Sequence, residues 1–258
     1  MARRFPGGTG ITRRYPPQEG SAGSGGGSSE RSIDLTPASS VSYSVTDYKL
    51  VGSGGIVEGW RVPQYASPVP TVTESSGALV LSAAISPNTV RPGYDVQWSN
   101  TGPAIMLPKM VVGDFDLQLK VKSDAGRTYL SVGPGCWMLN ENYNYYAGGI
   151  WTMRGLNSDA NAHEHASSIG NGAVKMLTNL GVLTAWTTST WVRLQRVGAT
   201  ITHSRRTGDS DAWAQLEQQT WDRSGGAAWL GICLGARNGE TAEFTVERII
   251  ATYTEHEE

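Results

Sequence analysis

The sequence predicts an all-β protein, a two-sheet antiparallel jelly-roll sandwich with an extended N-terminal arm. Among its 258 residues, glycine (32) and tryptophan (9) are frequent and phenylalanine (3) is rare, which suits short strands joined by Gly-rich turns. Hydrophobic residues make up 39% of the chain, enough for one sizeable core. Beyond residue 34, apolar side chains recur at every second position and no stretch keeps a helical period. These observations favour a sandwich over a helix bundle.

The arm is the first element, and we place it at residues 1–33, with the sandwich at residues 34–258. Residues 1–33 contain eight glycines, five serines and three prolines, a composition that cannot bury enough apolar surface to offset its ordering entropy. Residues 1–32 carry a net charge of +3 and the remainder −5. We therefore expect the arm to dock on an acidic neighbouring surface through its arginines, which are Arg3, Arg4, Arg13, Arg14 and Arg31.

The strands of the sandwich are predicted from alternation. In residues 114–124 (DFDLQLKVKSD), apolar and polar side chains alternate as in a half-buried antiparallel strand. Residues 191–205 read as a hairpin with Val197–Gly198 at the turn. Gly52–Ser53–Gly54–Gly55 reads as a turn. In residues 175–183 (KMLTNLGVL) a helical turn and a short strand fit equally well. The other predicted strands lie in residues 41–52, 59–65, 77–84, 212–218, 229–236 and 242–254.

Charge and composition exclude several partners. The sandwich residues are net acidic, so no basic face for nucleic acid is expected. No window reaches 18 uninterrupted apolar residues, which predicts no membrane-spanning helix. The basic start of the chain lacks the apolar run of a secretory signal. Cys136 and Cys233 are too few for a disulfide framework, and we interpret them as small buried core residues.

Several segments, taken in order, carry a resemblance to a known family, and the most specific is the W-x-R-L-x-R-x-G hairpin. Its residues here are Trp191, Arg193, Leu194, Arg196 and Gly198, with Trp213 on the next strand. Together with residues 59–83, 111–123 and 229–251, the hairpin resembles the concanavalin A-like lectin/glucanase jelly roll of the bacterial and phage type, as found in tailed-phage virion proteins. The resemblance covers most of residues 41–254 and implies the jelly-roll fold.

The sequence predicts no catalytic residues. Members of the family that hydrolyse glycans carry paired glutamates on one strand, and the strand DFDLQLK instead presents Asp116, Gln118 and Lys120 on its polar face. Glu243 and Glu247 share the face of a later strand, and we interpret them as part of a solvated face. We therefore expect a protein that is not an enzyme.

No metal or cofactor is expected either. His163 and His165, with Asp159 nearby, have metal-ligand spacing, but the surrounding NSDANAHEHASS is small, polar and loop-like. Asp209 and Asp211 in TGDSD are ordinary turn residues. The sequence contains no P-loop and no dinucleotide-binding fingerprint.

A glycan-binding edge is the strongest binding candidate. In residues 136–155 (CWMLNENYNYYAGGIWTMRG), aromatic rings that stack on sugars alternate with amides that satisfy hydroxyls. We interpret Trp137 and Trp151 as core residues. The same alternation also suits a contact with another protein. The candidate glycan-binding residues are Asn140, Asn142, Tyr143, Asn144, Tyr145 and Tyr146.

Together, the arm and the resemblance favour a non-enzymatic structural or appendage protein of a tailed-phage virion, assembled in the host cytoplasm. Its expected partners are other virion proteins and copies of itself, in a homo-oligomer for which we favour a trimer by analogy. The alternative is a carbohydrate-binding adhesion module that recognises a host-surface glycan. A glycan-cleaving enzyme is the third and weakest hypothesis.

Overall fold

The computed structural model describes residues 29–38, 40–62, 69–75, 77–84, 104–123, 131–139, 146–156, 162–170, 173–176, 182–183, 189–220, 226–235 and 241–257. Within these ranges, all regular elements are β-strands. They are β1 (Ser29–Leu35), β2 (Val41–Ser42), β3 (Ser44–Thr46), β4 (Lys49–Val51), β5 (Thr71–Ser75), β6 (Ala78–Ala84), β7 (Ala104–Met106), β8 (Val111–Ser123), β9 (Ser131–Leu139), β10 (Tyr146–Leu156), β11 (Ala162–Gly170), β12 (Ala173–Met176), β13 (Val182–Leu183), β14 (Thr190–Val197), β15 (Thr200–Arg206), β16 (Ala214–Thr220), β17 (Trp229–Gly235) and β18 (Thr241–Glu255).

The described strands form two large antiparallel sheets and one small one. The nine-stranded sheet has the order β16-β15-β14-β8-β18-β6-β5-β2, with β1 also paired to β18. The seven-stranded sheet has the order β12-β11-β10-β9-β17-β7, with β13 paired to β11. Strands β3 and β4 pair with each other. The prediction of an all-β, two-sheet antiparallel sandwich is confirmed. Within the described residues, the chain has no helix that could span a bilayer.

The core lies on one face of the nine-stranded sheet, as β8 shows most clearly. Phe115, Leu117 and Leu119 are almost fully buried in the main hydrophobic cluster. Because successive side chains of a strand point to opposite faces, Asp116 and Gln118 lie on the other face, which we call the outer face. The predicted alternation of residues 114–124 is therefore confirmed for the described part of that segment.

The hairpin β14–β15 forms as predicted, with its turn one residue later. Val197 pairs with Thr200, so the two-residue turn is Gly198–Ala199 and not Val197–Gly198. Gly198 has φ +59°, a conformation that glycine adopts at little cost, which places it inside the turn. β16 follows on the free edge of β15 and confirms the third predicted strand.

Two segments near the middle of the chain differ from their predictions. The polar stretch read as loop-like contains β11, which pairs with β10 on one side and with β12 and β13 on the other. Residues 173–176 and 182–183 are strands, so the helical reading of residues 175–183 does not hold in their described part. In β11, ladder pairing on both edges outweighs the weak local preference of small polar residues.

The end of the predicted arm belongs to the sandwich. β1 pairs with β18 in continuous antiparallel register, from Ser29 opposite Glu255 to Leu35 opposite Ile249. Ile33 and Leu35 pack against the core, which gives this segment an apolar side. The sandwich thus begins five residues before the predicted boundary at residue 34. Residues 1–28, with the rest of the predicted arm, lie outside the described residues.

The glycine-rich turn at residues 52–55 is confirmed, and Tyr43 explains its composition. The Tyr43 hydroxyl donates to the buried Glu74 carboxylate and accepts a hydrogen bond from the Val57 N–H (3.1 Å). A Cβ at Gly55 would overlap the Tyr43 hydroxyl, and one at Gly52 would lie 2.6 Å from the Tyr43 ring. Burial is the main cause that raises the pKa of Tyr43, and the Glu74 hydrogen bond adds to it. Two glycines are therefore required for the ring to pack against this turn.

Candidate functional site

The outer face of the nine-stranded sheet is the candidate site, because a row of polar side chains crosses it. The cross-strand register aligns one such residue from each of six neighbouring strands. Amides and hydroxyls of this kind both donate and accept hydrogen bonds. The amides and hydroxyls of such a row can hydrogen-bond to an elongated polar ligand. In strand order the row is Gln218, Thr202, Gln195, Asp116, Thr252 and Ser32.

Next to this row, Trp191 lies on the outer face and is nevertheless completely buried (0% exposed). The turn after β15 covers it, and the indole Nε1 donates to Asp209 Oδ1 over 2.7 Å. This hydrogen bond is the largest cause that lowers the pKa of Asp209, and Lys120 adds to it. The Lys120 ammonium lies 2.9 Å from Asp209 Oδ1. The turn predicted at residues 207–211 thus closes one end of the outer face over Trp191.

A guanidinium group lies between two tryptophans at this end. The Arg206 guanidinium carbon lies 4.6 Å from the ring centroid of Trp191 and 4.6 Å from that of Trp213. Arg193 also lies over Trp213, at 5.3 Å. Arginine stacks on aromatic rings through both cation–π attraction and dispersion. Together, Trp191, Arg193, Arg206 and Trp213 form what we call the tryptophan–arginine stack.

The Asp116 carboxylate is hydrogen-bonded by two neighbouring side chains, Arg193 and Gln118. Arg193 donates to it in bidentate geometry, from Nε to Oδ1 (2.8 Å) and from Nη2 to Oδ2 (2.6 Å). Gln118 donates a further hydrogen bond to Oδ2 over 3.2 Å. These three hydrogen bonds tie both carboxylate oxygens to protein donors, so Asp116 fixes the orientation of Arg193.

The two glutamates of β18 also have local roles. Glu247 accepts from Ser189 Oγ (2.7 Å) and lies 3.9 Å from Lys120 Nζ, while Glu243 is exposed near the start of the strand. A register shift between Val246 and Arg248 separates them. In the described residues, no group of three or more histidine, cysteine or acidic side chains could hold a metal ion.

The predicted site residues fall mainly outside the described part of the chain. Residues 140–145 are not described, and Tyr146 begins β10 opposite Leu139 of β9. Arg3, Arg4, Arg13 and Arg14 are likewise not described, so their role stays a prediction.

Arg31 is the one described arginine of the predicted arm, and its docking on a neighbouring surface stays a prediction. It lies in β1, and its Nη2 lies 3.2 Å from Glu255 Oε2 of the same chain. The reason is the strand pairing, which places the two residues at the same end of the β1–β18 ladder. Cys136 is a free, buried thiol whose pKa is raised mainly by burial. This confirms it as a core residue.

Arg206 was not identified from the sequence. The motif residues Trp191, Arg193 and Trp213 are recognisable in the sequence. Arg206, by contrast, is only the second of two consecutive arginines at the end of the hairpin. The hairpin register supplies the missing signal, because a two-residue turn at Gly198–Ala199 places Arg206 directly opposite Trp191. Alternation along β15 then puts it on the outer face.

Comparison with solved structures shows a shared fold at very low sequence identity. A xylan β-1,4-xylosidase from Bacillus halodurans superposes with a TM-score of 0.51 and 9% identity, over 69% of this chain and 33% of the enzyme. This chain thus spans about a third of that enzyme. An alginate lyase from Klebsiella pneumoniae gives 0.51 and 13%, over 83% of this chain and 94% of the lyase. Such identities establish the all-β fold and no activity.

A module of a phage protein also matches, although at a TM-score of 0.47 the likeness supports no inference. It is the CBM2 module of the evolved Dit of Lactobacillus casei BL23 phage J-1, with 8% identity over 86% of this chain and 100% of the module. No protein-family model and no curated protein sequence matches the chain.

Proposed function

We propose that the chain is a non-enzymatic structural or appendage protein of a tailed-phage virion, held to the particle by its N-terminal arm and displaying the sandwich. The observation that carries the proposal is the junction between arm and sandwich. The segment that follows the Gly/Ser/Arg-rich residues 1–28 is itself a strand of the nine-stranded sheet, paired with β18 over seven residues. An arm used as an anchor needs such a firm attachment to the domain that it holds.

The contacts of β1 suit this use. Arg248 of β18 donates two hydrogen bonds to the Asp34 carboxylate, over 2.8 and 2.7 Å. Ile33 and Leu35 add apolar contacts with the core. In an antiparallel pair the interstrand hydrogen bonds lie perpendicular to the strands. A pull along the arm therefore loads these bonds together in shear, so the junction resists detachment.

A non-enzymatic role is supported by the state of the outer-face carboxylates. Asp116 is bound by Arg193, and Glu247 accepts from Ser189. Retaining or inverting glycoside hydrolysis needs two carboxyl groups available to the scissile bond. Among the described residues of the outer face, these two acids are committed to protein partners.

Truncation at the junction tests the anchoring proposal. A chain that starts at Ser29 keeps β1 intact, so it should fold with an unchanged melting temperature but fail to join particles or form the oligomer of the full-length chain. The matched control keeps the arm length and replaces Arg3, Arg4, Arg13 and Arg14 by glutamine, which should weaken incorporation. Light scattering and particle co-sedimentation measure both variants. A Ser29 variant that still incorporates would overturn the proposal.

A second function, binding of a host-surface glycan by the displayed sandwich, is favoured by the polar row on the outer face. Gln195 and Thr202 lie beside each other at its centre. The fold is shared with an enzyme named for its action on a polysaccharide, the alginate lyase, over most of both chains. Amides and hydroxyls so placed match the hydroxyls of a sugar chain.

Glycan-array binding tests this second function and separates the two candidate surfaces. If the outer face binds, Gln195→Ala should abolish the array signal while Asn142→Ala leaves it unchanged. The reverse result would assign binding to residues 140–146. A wild-type chain that binds no glycan on the array would refute the second function.

A further inference from the structure

Arg206 presents a cation that forms no ion pair within the described residues. Among the described residues, no side chain or carbonyl accepts a hydrogen bond from its guanidinium, and its buried Nε has no partner. Three neighbouring cations each contact a carboxylate, at N–O distances of 2.9, 2.6 and 2.7 Å. They are Lys120 with Asp209, Arg193 with Asp116, and Arg248 with Asp34.

Asp209 forms no ion pair with Arg206. Asp209 is close enough for the charge of Arg206 to contribute to its lowered pKa. Its two carboxylate oxygens, however, are used by the Trp191 indole and by Lys120. A guanidinium has five donors, and a buried donor without an acceptor is destabilising. An anion supplied from outside would pair with the terminal nitrogens, Nη1 and Nη2.

The tryptophan–arginine stack also fixes the plane in which Arg206 can donate. Two indole rings at 4.6 Å hold the guanidinium, so little side-chain entropy remains to be lost when a ligand binds. A planar fork held in one orientation matches the two oxygens of a carboxylate. The geometry therefore favours a carboxylate over a simple halide.

The ligand must be elongated if it also reaches the polar row. Thr202 and Arg206 lie on the same face of β15, four residues apart, which is about 13 Å along a strand. One sugar unit does not span that distance, but an oligosaccharide does. Its hydroxyls would contact Thr202 and Gln195, and an acidic unit would lie at Arg206.

We propose that Arg206 is a binding residue for the carboxylate of an acidic oligosaccharide that lies along the outer face of the nine-stranded sheet. The inference rests on the proposed glycan-binding function and names its ligand class, a uronate-containing glycan. It places the charge-recognising end of the site at the tryptophan–arginine stack and the hydroxyl-recognising part at the polar row.

Calorimetric titration with oligomers of galacturonate, mannuronate and glucuronate tests this, with each oligomer compared with its methyl-esterified form. The ester keeps the sugar backbone and removes the negative charge. Wild-type protein should bind at least one acid form about tenfold more tightly than its ester, as expected for a charge-assisted bidentate hydrogen bond. Binding should also change the tryptophan fluorescence, because Trp191 and Trp213 contact Arg206.

Two variants separate recognition by the planar guanidinium group from simple attraction between charges. Arg206→Lys keeps the positive charge but loses the planar fork, and it should lower affinity for the acid form about tenfold while leaving the ester unaffected. Lys122→Gln is the matched control, because it removes an exposed cation of β8 that lies outside the stack, and it should change affinity less than twofold. Thermal unfolding of each variant verifies that the sandwich is intact.

These experiments distinguish failure of the Arg206 proposal from failure of the glycan-binding function. If acid and ester bind equally and Gln195→Ala abolishes both, the glycan-binding function stands and the role of Arg206 is refuted. If Arg206→Lys binds the acid form like wild type, the role is refuted as well. If none of the six oligomers binds, the uronate assignment fails, and the glycan array then decides whether the function fails with it.

Discussion

Mild acid should destabilise this protein through His203, which is buried inside the sandwich. His203 lies on the core face of β15 opposite Leu194, with no exposed surface. Burial lowers the pKa of His203 from 6.5 to about 3. Below pH 6.5 the unfolded chain therefore binds a proton at this histidine, whereas the folded protein does not. The stability from the neutral, buried ring is present above that pH and is lost as the pH falls toward 3.

The size of the effect follows from the two pKa values. Each pH unit between them costs about 1.36 kcal/mol once the unfolded histidine is fully protonated. Between pH 8 and pH 5 the free energy of unfolding should fall by about 2 kcal/mol from this group alone. Urea denaturation at half-unit pH intervals measures the slope.

Variants assign the slope to this side chain. His203→Gln, which does not titrate, should be less stable at pH 8 but should lose about 2 kcal/mol less than wild type between pH 8 and pH 5. His256→Gln, near the end of the described chain, should keep the wild-type slope. Equal slopes in wild type and His203→Gln would refute the reasoning, because His203 would then bind protons equally in both states.

Three further substitutions probe packing and pairing. Gly55→Ala should lower stability by about 1–3 kcal/mol in chemical denaturation, because its Cβ would overlap the Tyr43 hydroxyl; an unchanged midpoint would contradict this. Leu117→Ala removes a fully buried core side chain and should cost about 2–5 kcal/mol by the same measurement, and a smaller loss would show that the core collapses around the site. Asp34→Asn should lower stability by at most about 1 kcal/mol, because its ion pair with Arg248 is half exposed. The same substitution should speed amide exchange in β1. Unchanged exchange would show that the ion pair does not hold the strand.

The elements predicted best from sequence are those whose pattern is strict. In β8, Phe115, Leu117 and Leu119 alternate with polar residues, and only an antiparallel strand with one buried face satisfies that period. The hairpin β14–β15 was found from its turn and from the strands on either side. Its turn was predicted one residue early. Val197 is β-branched, which favours a strand, but it is also exposed, which favours a turn. Only the cross-strand register decides between the two positions.

Elements with weak local signals were not predicted. β11 reads as a loop, because its residues are small and polar, and it becomes a strand through pairing on both edges. β1 reads as arm, because its apolar residues, Ile33 and Leu35, are few and follow a long Gly/Ser-rich stretch. The partner that orders it, β18, lies more than 200 residues away in sequence. No local window contains that information.

The candidate site divides in the same way. The motif residues Trp191 and Trp213 stand out in the sequence, but nothing in their spacing predicts that a turn buries Trp191 on the outer face. Nor does the sequence predict that Arg206 lies between the two rings. That stack depends on the register of β14 with β15 and on the position of Trp213, directly before β16.

By itself, the sequence determined the all-β class, the strands with strict alternation and the compositional contrast between arm and sandwich. These follow from local physics, namely side-chain periodicity, turn chemistry and the inability of a Gly/Ser segment to bury apolar surface. Tertiary structure alone decided the attachment of β1 to β18, the polar row and the position of Arg206 beside two tryptophan rings. Each of these depends on cross-strand register, which brings distant residues onto one face, and a shift of one residue would move them to the other.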